Sequence, residues 1–178
     1  MKSFFSASAL TLGLLLATPQ TLAQTPAADR QQIDAIVETF RTAIIKKDTA
    51  SFMGLFLHEG ITWTGVFTDR AVEREYANRP DPALPRPPKY FNSSPRKFIE
   101  SIVKATKPRA ETFDNVRIDS DGDVAQVWFD YSFLADGKVQ NWGKESWQMV
   151  RTEAGWKIAA VVWSMEDDPA LAPSRASK

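Results

Sequence analysis

One way to move a proton inside a protein uses a carboxylate base and neutral donors that face one apolar cavity. In this chain the residue types for it gather late. Tyr131 is a candidate donor, Asp130 and Glu145 are the nearby acids, and Ser146 and Gln148 are polar groups able to orient a ligand. Neighbouring side chains on a strand point to opposite faces, so the register of the strands decides which of them meet. His58 is the only histidine, which excludes a two-histidine metal site. It stands beside Glu59 at the end of an expected helix and reads as a surface or capping residue.

These residues belong to the stretch Asp123 to Glu166, which holds five of the six tryptophans and reads as three long antiparallel strands. Asp136-Gly137 is a strong hairpin signal, because a type I′ turn needs positive φ at both central positions. A two-residue turn there pairs Ala135 with Lys138, Tyr131 with Trp142 and Val127 with Ser146. Glu153-Ala154-Gly155 suits a three-residue turn, which pairs Thr152 with Trp156, Val150 with Ile158, Gln148 with Ala160 and Ser146 with Val162. The two registers agree on the middle strand. They place Val127, Phe129, Tyr131, Trp142, Ser146, Gln148, Trp156 and Ile158 on one face, as an apolar pocket wall with a few polar groups. Asp130 and Glu145 fall on the opposite face with Trp128, Trp147 and Trp163. A single bulge reverses the assignment beyond it, and a slip of one residue carries acids into the pocket.

Residues 1–23 have the form of a signal peptide. Lys2 is followed by the apolar run Ala7 to Ala17 and by the small-residue site Thr21-Leu22-Ala23. Export to the periplasm or outside the cell is expected. The chain contains no cysteine, hence no lipidation site and no disulfide framework. Its 22 basic and 22 acidic residues give no basic face for nucleic acid and no reason to propose an anionic membrane surface. No cofactor and no metal are expected.

Residues 24–28 read as a leader and 29–167 as one domain, with a loose tail over 168–178. Asp29 stands where an N-cap belongs, and Ile33, Ile36, Val37, Phe40 and Ile44 follow at helical spacing, which predicts a helix over about 30–47. Asp48 or Thr49 starts a short second helix with Phe52, Leu55 and Phe56. ITWTGVF, 61–67, alternates as a strand. The connection 68–93 is the least regular part and its prolines forbid continuous helix through them; its length suggests a lid over the pocket. Ser94-Pro95 is a helix start, and Glu111 to Asp119 reads as another strand.

With the helix pair of residues 33–57 and the closing hairpin RTEAGWKIAAVVWS, the chain resembles the nuclear transport factor 2-like superfamily, in its SnoaL-like and ketosteroid-isomerase-like bacterial branches. The resemblance implies an α+β cone, a curved antiparallel sheet wrapped around three helices with an apolar pocket at one end. It also implies a homodimer, here through Trp128, Trp147 and Trp163. Many relatives carry histidines on the last strand, where Ala160 and Val162 stand. Fold does not decide function within such a group. The expected function is binding of a small apolar or amphipathic molecule without turnover; the alternatives are an acid-base isomerase or lyase without metal and a protein-interaction or assembly module. A buried carboxylate in the pocket favours the acid-base alternative.

Overall fold

The computed structural model describes residues 25–167 and Ala170. The expected signal peptide and nearly all of the expected tail lie outside the described residues. Four helices and six strands follow in the order α1 (Ala27–Lys46), α2 (Thr49–Met53), β1 (Thr62–Phe67), α3 (Asp69–Ala77), β2 (Tyr90–Asn92), α4 (Pro95–Lys104), β3 (Arg109–Ser120), β4 (Val124–Ala135), β5 (Lys138–Thr152) and β6 (Gly155–Met165). The strands form one curved, unclosed sheet in the order β2-β1-β6-β5-β4-β3. Every neighbouring pair is antiparallel except β1 and β6.

Helix boundaries follow from local chemistry. The Asp48 side chain accepts from Ser51 N at 3.0 Å and Ser94 Oγ accepts from Lys97 N at 3.2 Å, each satisfying an orphan N–H of a helix start. Pro95 occupies the first turn of α4, where its missing N–H costs nothing. Asp29 differs from its expected role. The cap of α1 is Pro26, and Asp29 lies inside the first turn, buried and paired with Arg151 on β5. Within the connection 68–93 the structure adds two elements, α3 ahead of the prolines and β2 behind them. Thr68 caps α3 through Ala71 N, and β2 pairs with β1 at the sheet edge.

The inner face of the sheet is aromatic. Phe40 of α1 packs on Trp147 with ring centroids 4.9 Å apart and on Phe113 at 5.8 Å. Phe98 of α4 meets Trp63 at 5.5 Å and Phe133 at 6.1 Å. Contacts at these separations add to the burial of each ring. They fix how α1 and α4 sit on the sheet.

Two bulges set the faces. The Asp136-Gly137 turn has positive φ at both positions and pairs Ala135 with Lys138, as expected. Between Phe133 and Leu134 the register then shifts, so that Tyr131 faces Gly143, Phe129 faces Glu145 and Val127 faces Trp147. The second loop is one residue shorter than expected and pairs Thr152 with Gly155. A further shift beside Met149 restores the pairs Gln148–Ala160 and Ser146–Val162. Each bulge adds one residue to one strand and turns the side chains beyond it over. The outcome is a correction to the faces of β5 and of the second half of β6. Glu145, Trp147, Met149, Val161 and Trp163 join Val127, Phe129 and Tyr131 on the inner face, while Ser146, Gln148 and Val162 face outward.

Candidate functional site

At one end of the inner face, the sheet, α1 and α4 enclose a cavity of about 350 Å³. Its walls are rings: Phe40, Trp63, Phe91, Phe98, Phe133 and Trp163, with Met165 beside them. Its polar groups come from three strands and one helix. Glu111, Tyr131, Asn141 and Glu145 stand on β3, β4 and β5, and Lys97 and Ser101 on α4; Ser93 precedes that helix.

Cross-strand rows place the inner groups. Glu111, Phe133 and Asn141 form one row, Phe113, Tyr131 and Gly143 the next, and Phe129, Glu145 and Trp163 the third. Glu111 and Glu145 are thus two strands and two rows apart. The curl of the sheet and the length of their side chains bring both carboxyls into one cavity. Glycine at 143 is a steric requirement: a Cβ there would lie 2.1 Å from the carbonyl oxygen of Ser164. That close approach lets the Ser164 carbonyl accept a hydrogen bond from Tyr131 Oη at 3.1 Å, a proton shared with Asn141 Oδ1, also at 3.1 Å. At Gly65 a Cβ would meet the rings of Phe91 and Trp163, which pack edge to face with centroids 5.6 Å apart as part of the wall.

Both glutamates are buried, Glu111 at 5% exposure and Glu145 at 4%. Burial pushes the Glu145 carboxyl up to about 7, against which the indole of Trp147 works by donating Nε1–H to Oε1 at 2.5 Å. Burial and the charge of Glu145 push Glu111 well above the usual carboxylate range. Burial thus favours the neutral form of both carboxyls, and the pair titrates as a unit, with Glu145 raised to about 7. Burial and the two acids also raise Tyr131, whose phenol stays protonated. Its single proton already goes to Asn141 and Ser164, so the donors left for a guest beside the two glutamates are the proton their carboxyls retain and the amide N–H groups of Asn141. Among the described residues no group of three or more His, Cys, Asp or Glu could hold a metal ion.

Of the residues expected to line a pocket from the sequence, Tyr131 lies on this cavity. Val127, Phe129, Trp156 and Ile158 are buried in the core away from it. Ser146 and Gln148 are on the outer face, and Trp142 pairs with Ser132 on that same face. The three tryptophans expected to form a dimer surface are separated: Trp147 is fully buried, Trp163 lines the cavity, and Trp128 is exposed on the outer face. Asp130 faces outward and is paired with Lys144 and Asn115. The proline-rich loop lies off the cavity, with Arg79 over the ring of Tyr76 and Arg86 paired with Glu73 of α3. From the 68–93 connection, Phe91 and Ser93 reach the cavity. Glu111 and Asn141 were missed in the sequence.

No protein-family model matches the sequence, and no curated protein is similar to it. Solved structures share its fold. An NTF2-like protein of unknown function from Pseudomonas putida is 11% identical over 82% of this chain and 92% of its own, with a TM-score of 0.56. One from Shewanella baltica is 14% identical over 82% and 100%, at 0.55. A provisionally named scytalone dehydratase from Novosphingobium aromaticivorans is 11% identical over 78% and 85%, at 0.56. Helices packed in the curl of this sheet, with a cavity at one end, give the chain the nuclear transport factor 2-like fold.

Proposed function

We propose that this protein is an acid-base enzyme that moves a proton on a small, largely apolar carbonyl compound, as an isomerase or lyase without a redox step. The observation that carries the reading is the pair of buried carboxyls, Glu111 and Glu145, in one aromatic cavity. Removing an ionised carboxylate from water costs several kcal/mol unless a cation offsets it. Among the described residues no cation is paired with either group. A core built for stability alone has no use for such a pair, which supports a role in the cavity's chemistry.

In the proposed reaction Glu145, as carboxylate, takes the proton from the carbon next to the substrate carbonyl. The electron pair moves into the enol or enolate, whose oxygen receives a hydrogen bond from Glu111 and from the Asn141 amide. These donors sit where charge develops, among largely apolar walls. Returning the proton to a different carbon completes an isomerisation. Loss of a hydroxyl from the β carbon, protonated by Glu111 as it leaves, completes a dehydration. A Glu145 near its midpoint at neutral pH is suited to both directions of transfer.

The test is exchange. A bicyclic ketone such as 2-tetralone, incubated with the protein in deuterated buffer, is expected to exchange its α protons faster than in buffer alone, and Glu145→Gln to remove the acceleration. Saturable binding of the ketone with exchange at the buffer rate overturns the proposal in favour of a carrier.

A further inference from the structure

The charges around the cavity are not spread evenly, and the difference points to a kind of substrate. The floor is acidic and buried, with Glu111 and Glu145. The rim is basic, because Lys97 lines the cavity from the exposed first turn of α4. Its neighbour Arg96 is neutralised by Glu59 on the surface, whereas no carboxylate among the described residues pairs with Lys97. Ser93 brings a hydroxyl to the same wall, while the Ser101 hydroxyl there donates to the Phe98 carbonyl at 2.7 Å. Between rim and floor the walls are ring faces and edges, with Trp63 and Trp163 packed at 5.6 Å and 65°.

Resting on the acid-base reading above, we infer that the substrate is a compact planar ring compound with an anionic group, a carboxylate in the simplest case. The anion is held by Lys97 at the rim, and the neutral carbonyl end is directed to Glu111 and Asn141. The orientation follows from electrostatics. A substrate carboxylate on the floor would lie against the Glu145 charge, while at the rim it meets a cation and the Ser93 hydroxyl. A cavity of about 350 Å³ is at the small end of ligand sites, which run from roughly 300 to 1,000 Å³, so it takes a small fused-ring skeleton rather than a long chain. Flat aromatic walls favour a flat guest.

The experiment compares two probes that differ in charge alone, a tetralone carboxylic acid and its primary amide, by calorimetry at low salt. The acid is expected to bind the wild type roughly tenfold more tightly than the amide, the order expected of one charge-assisted contact. The preference is expected to vanish in Lys97→Met and in high salt, and to persist in Lys97→Arg and in Lys104→Met, a change further along the same helix. Equal binding of acid and amide by the wild type overturns the inference, as does a preference that survives Lys97→Met or failure of both probes to bind. Because binding is read without turnover, a Lys97-dependent preference with no proton exchange retains this inference and removes the acid-base reading instead.

Discussion

Buried acids stand at both ends of this sheet, and they are treated in opposite ways. At one end Asp29 of α1, 4% exposed, is paired with Arg151, whose guanidinium also donates to the Gly122 carbonyl and lies over the ring of Trp156 at 4.7 Å. Glu166 beyond β6 is satisfied in the same manner, by Thr68 Oγ1 at 2.7 Å and Arg74 at 3.1 Å. At the cavity end Glu111 and Glu145 are just as buried and have no such cation. Equal burial therefore separates into two kinds. An acid with its cation fastens a helix to the sheet, and an acid without one keeps a proton that chemistry can use. The two structural acids are replaceable in principle by any well-packed pair, whereas the cavity acids cost stability and need a function to account for them.

The comparison breaks most sharply at Glu145. Glu145→Gln is expected to lower any proton-transfer rate by about 10²- to 10⁴-fold, the usual contribution of a positioned acid or base. It is also expected to raise stability above neutral pH. Glutamine keeps an oxygen to accept from Trp147 Nε1, and it removes the cost of an ionised carboxylate in the core. That cost follows from the lift of the carboxyl from 4.5 to about 7 and amounts to about 3 kcal/mol. Thermal unfolding at pH 8 together with the exchange assay checks both parts, and a variant that is inactive and less stable contradicts the second.

The same lift fixes a sign for the wild type. In the native state Glu145 holds its proton up to about pH 7, whereas in the unfolded chain it loses it near 4.5. Between these values the native state binds more protons, so this group's contribution to stability declines as pH rises through that window. Glu111 acts in the same direction, since its carboxyl is also raised. Denaturant midpoints for the wild type measured against Glu145→Gln across pH 4 to 8 isolate the contribution, and a difference that does not grow with pH rejects it. The other end gives the contrast. Arg151→Met leaves Asp29 buried without its cation and is expected to destabilise by about 3 kcal/mol, the low end for a broken buried pair because the Arg151 side chain is 34% exposed. Activity per folded molecule should not change.

Much of the fold was legible because turns and alternation are local. The Asp136-Gly137 turn, the Ser94-Pro95 start of α4 and the inward side of β4 at Val127, Phe129 and Tyr131 all follow from residues a few positions apart. The cavity acids did not, for a definite reason. Register counted from a turn is only as good as the absence of bulges, and the extra residue beside Leu134 turned all of β5 over. A second criterion was present in the sequence. Trp147, Met149, Val161 and Trp163 form a more apolar set than Trp142, Ser146, Gln148 and Val162, so burial of the greater hydrophobic area favours the face that the turns had rejected. Weighing area above register would have carried Glu145 inward with Trp147. Glu111 needed the helices as well, since its burial comes from α1 and α4 closing over the end of β3, a tertiary fact with no local signature. α3 ends before Pro80, so the prolines that forbid continuous helix through the connection place no constraint on Thr68 and the nine residues after it.

The smallest expected effect concerns Trp147, which belongs to both kinds of environment: it is a core ring packed on Phe40 and Phe129, and it is also the one donor that holds the Glu145 carboxylate. Trp147→Phe keeps an aromatic ring and removes the N–H. A donor bonded to the charged form favours that form, so its loss should raise the Glu145 midpoint further, by about one pH unit if the bond is of ordinary charge-assisted strength. The acid limb of the exchange rate against pH then moves upward by the same amount, while the rate well above the new midpoint is largely retained. The substitution also leaves a small void and costs roughly 1 to 3 kcal/mol of stability at every pH. A purely structural role predicts that loss and nothing more. The two are separated by following the Glu145 carboxyl carbon by NMR through a titration of each protein. An unchanged midpoint in Trp147→Phe, with the fold intact, would make the indole a packing group and leave the Glu145 charge to be stabilised by the cavity alone.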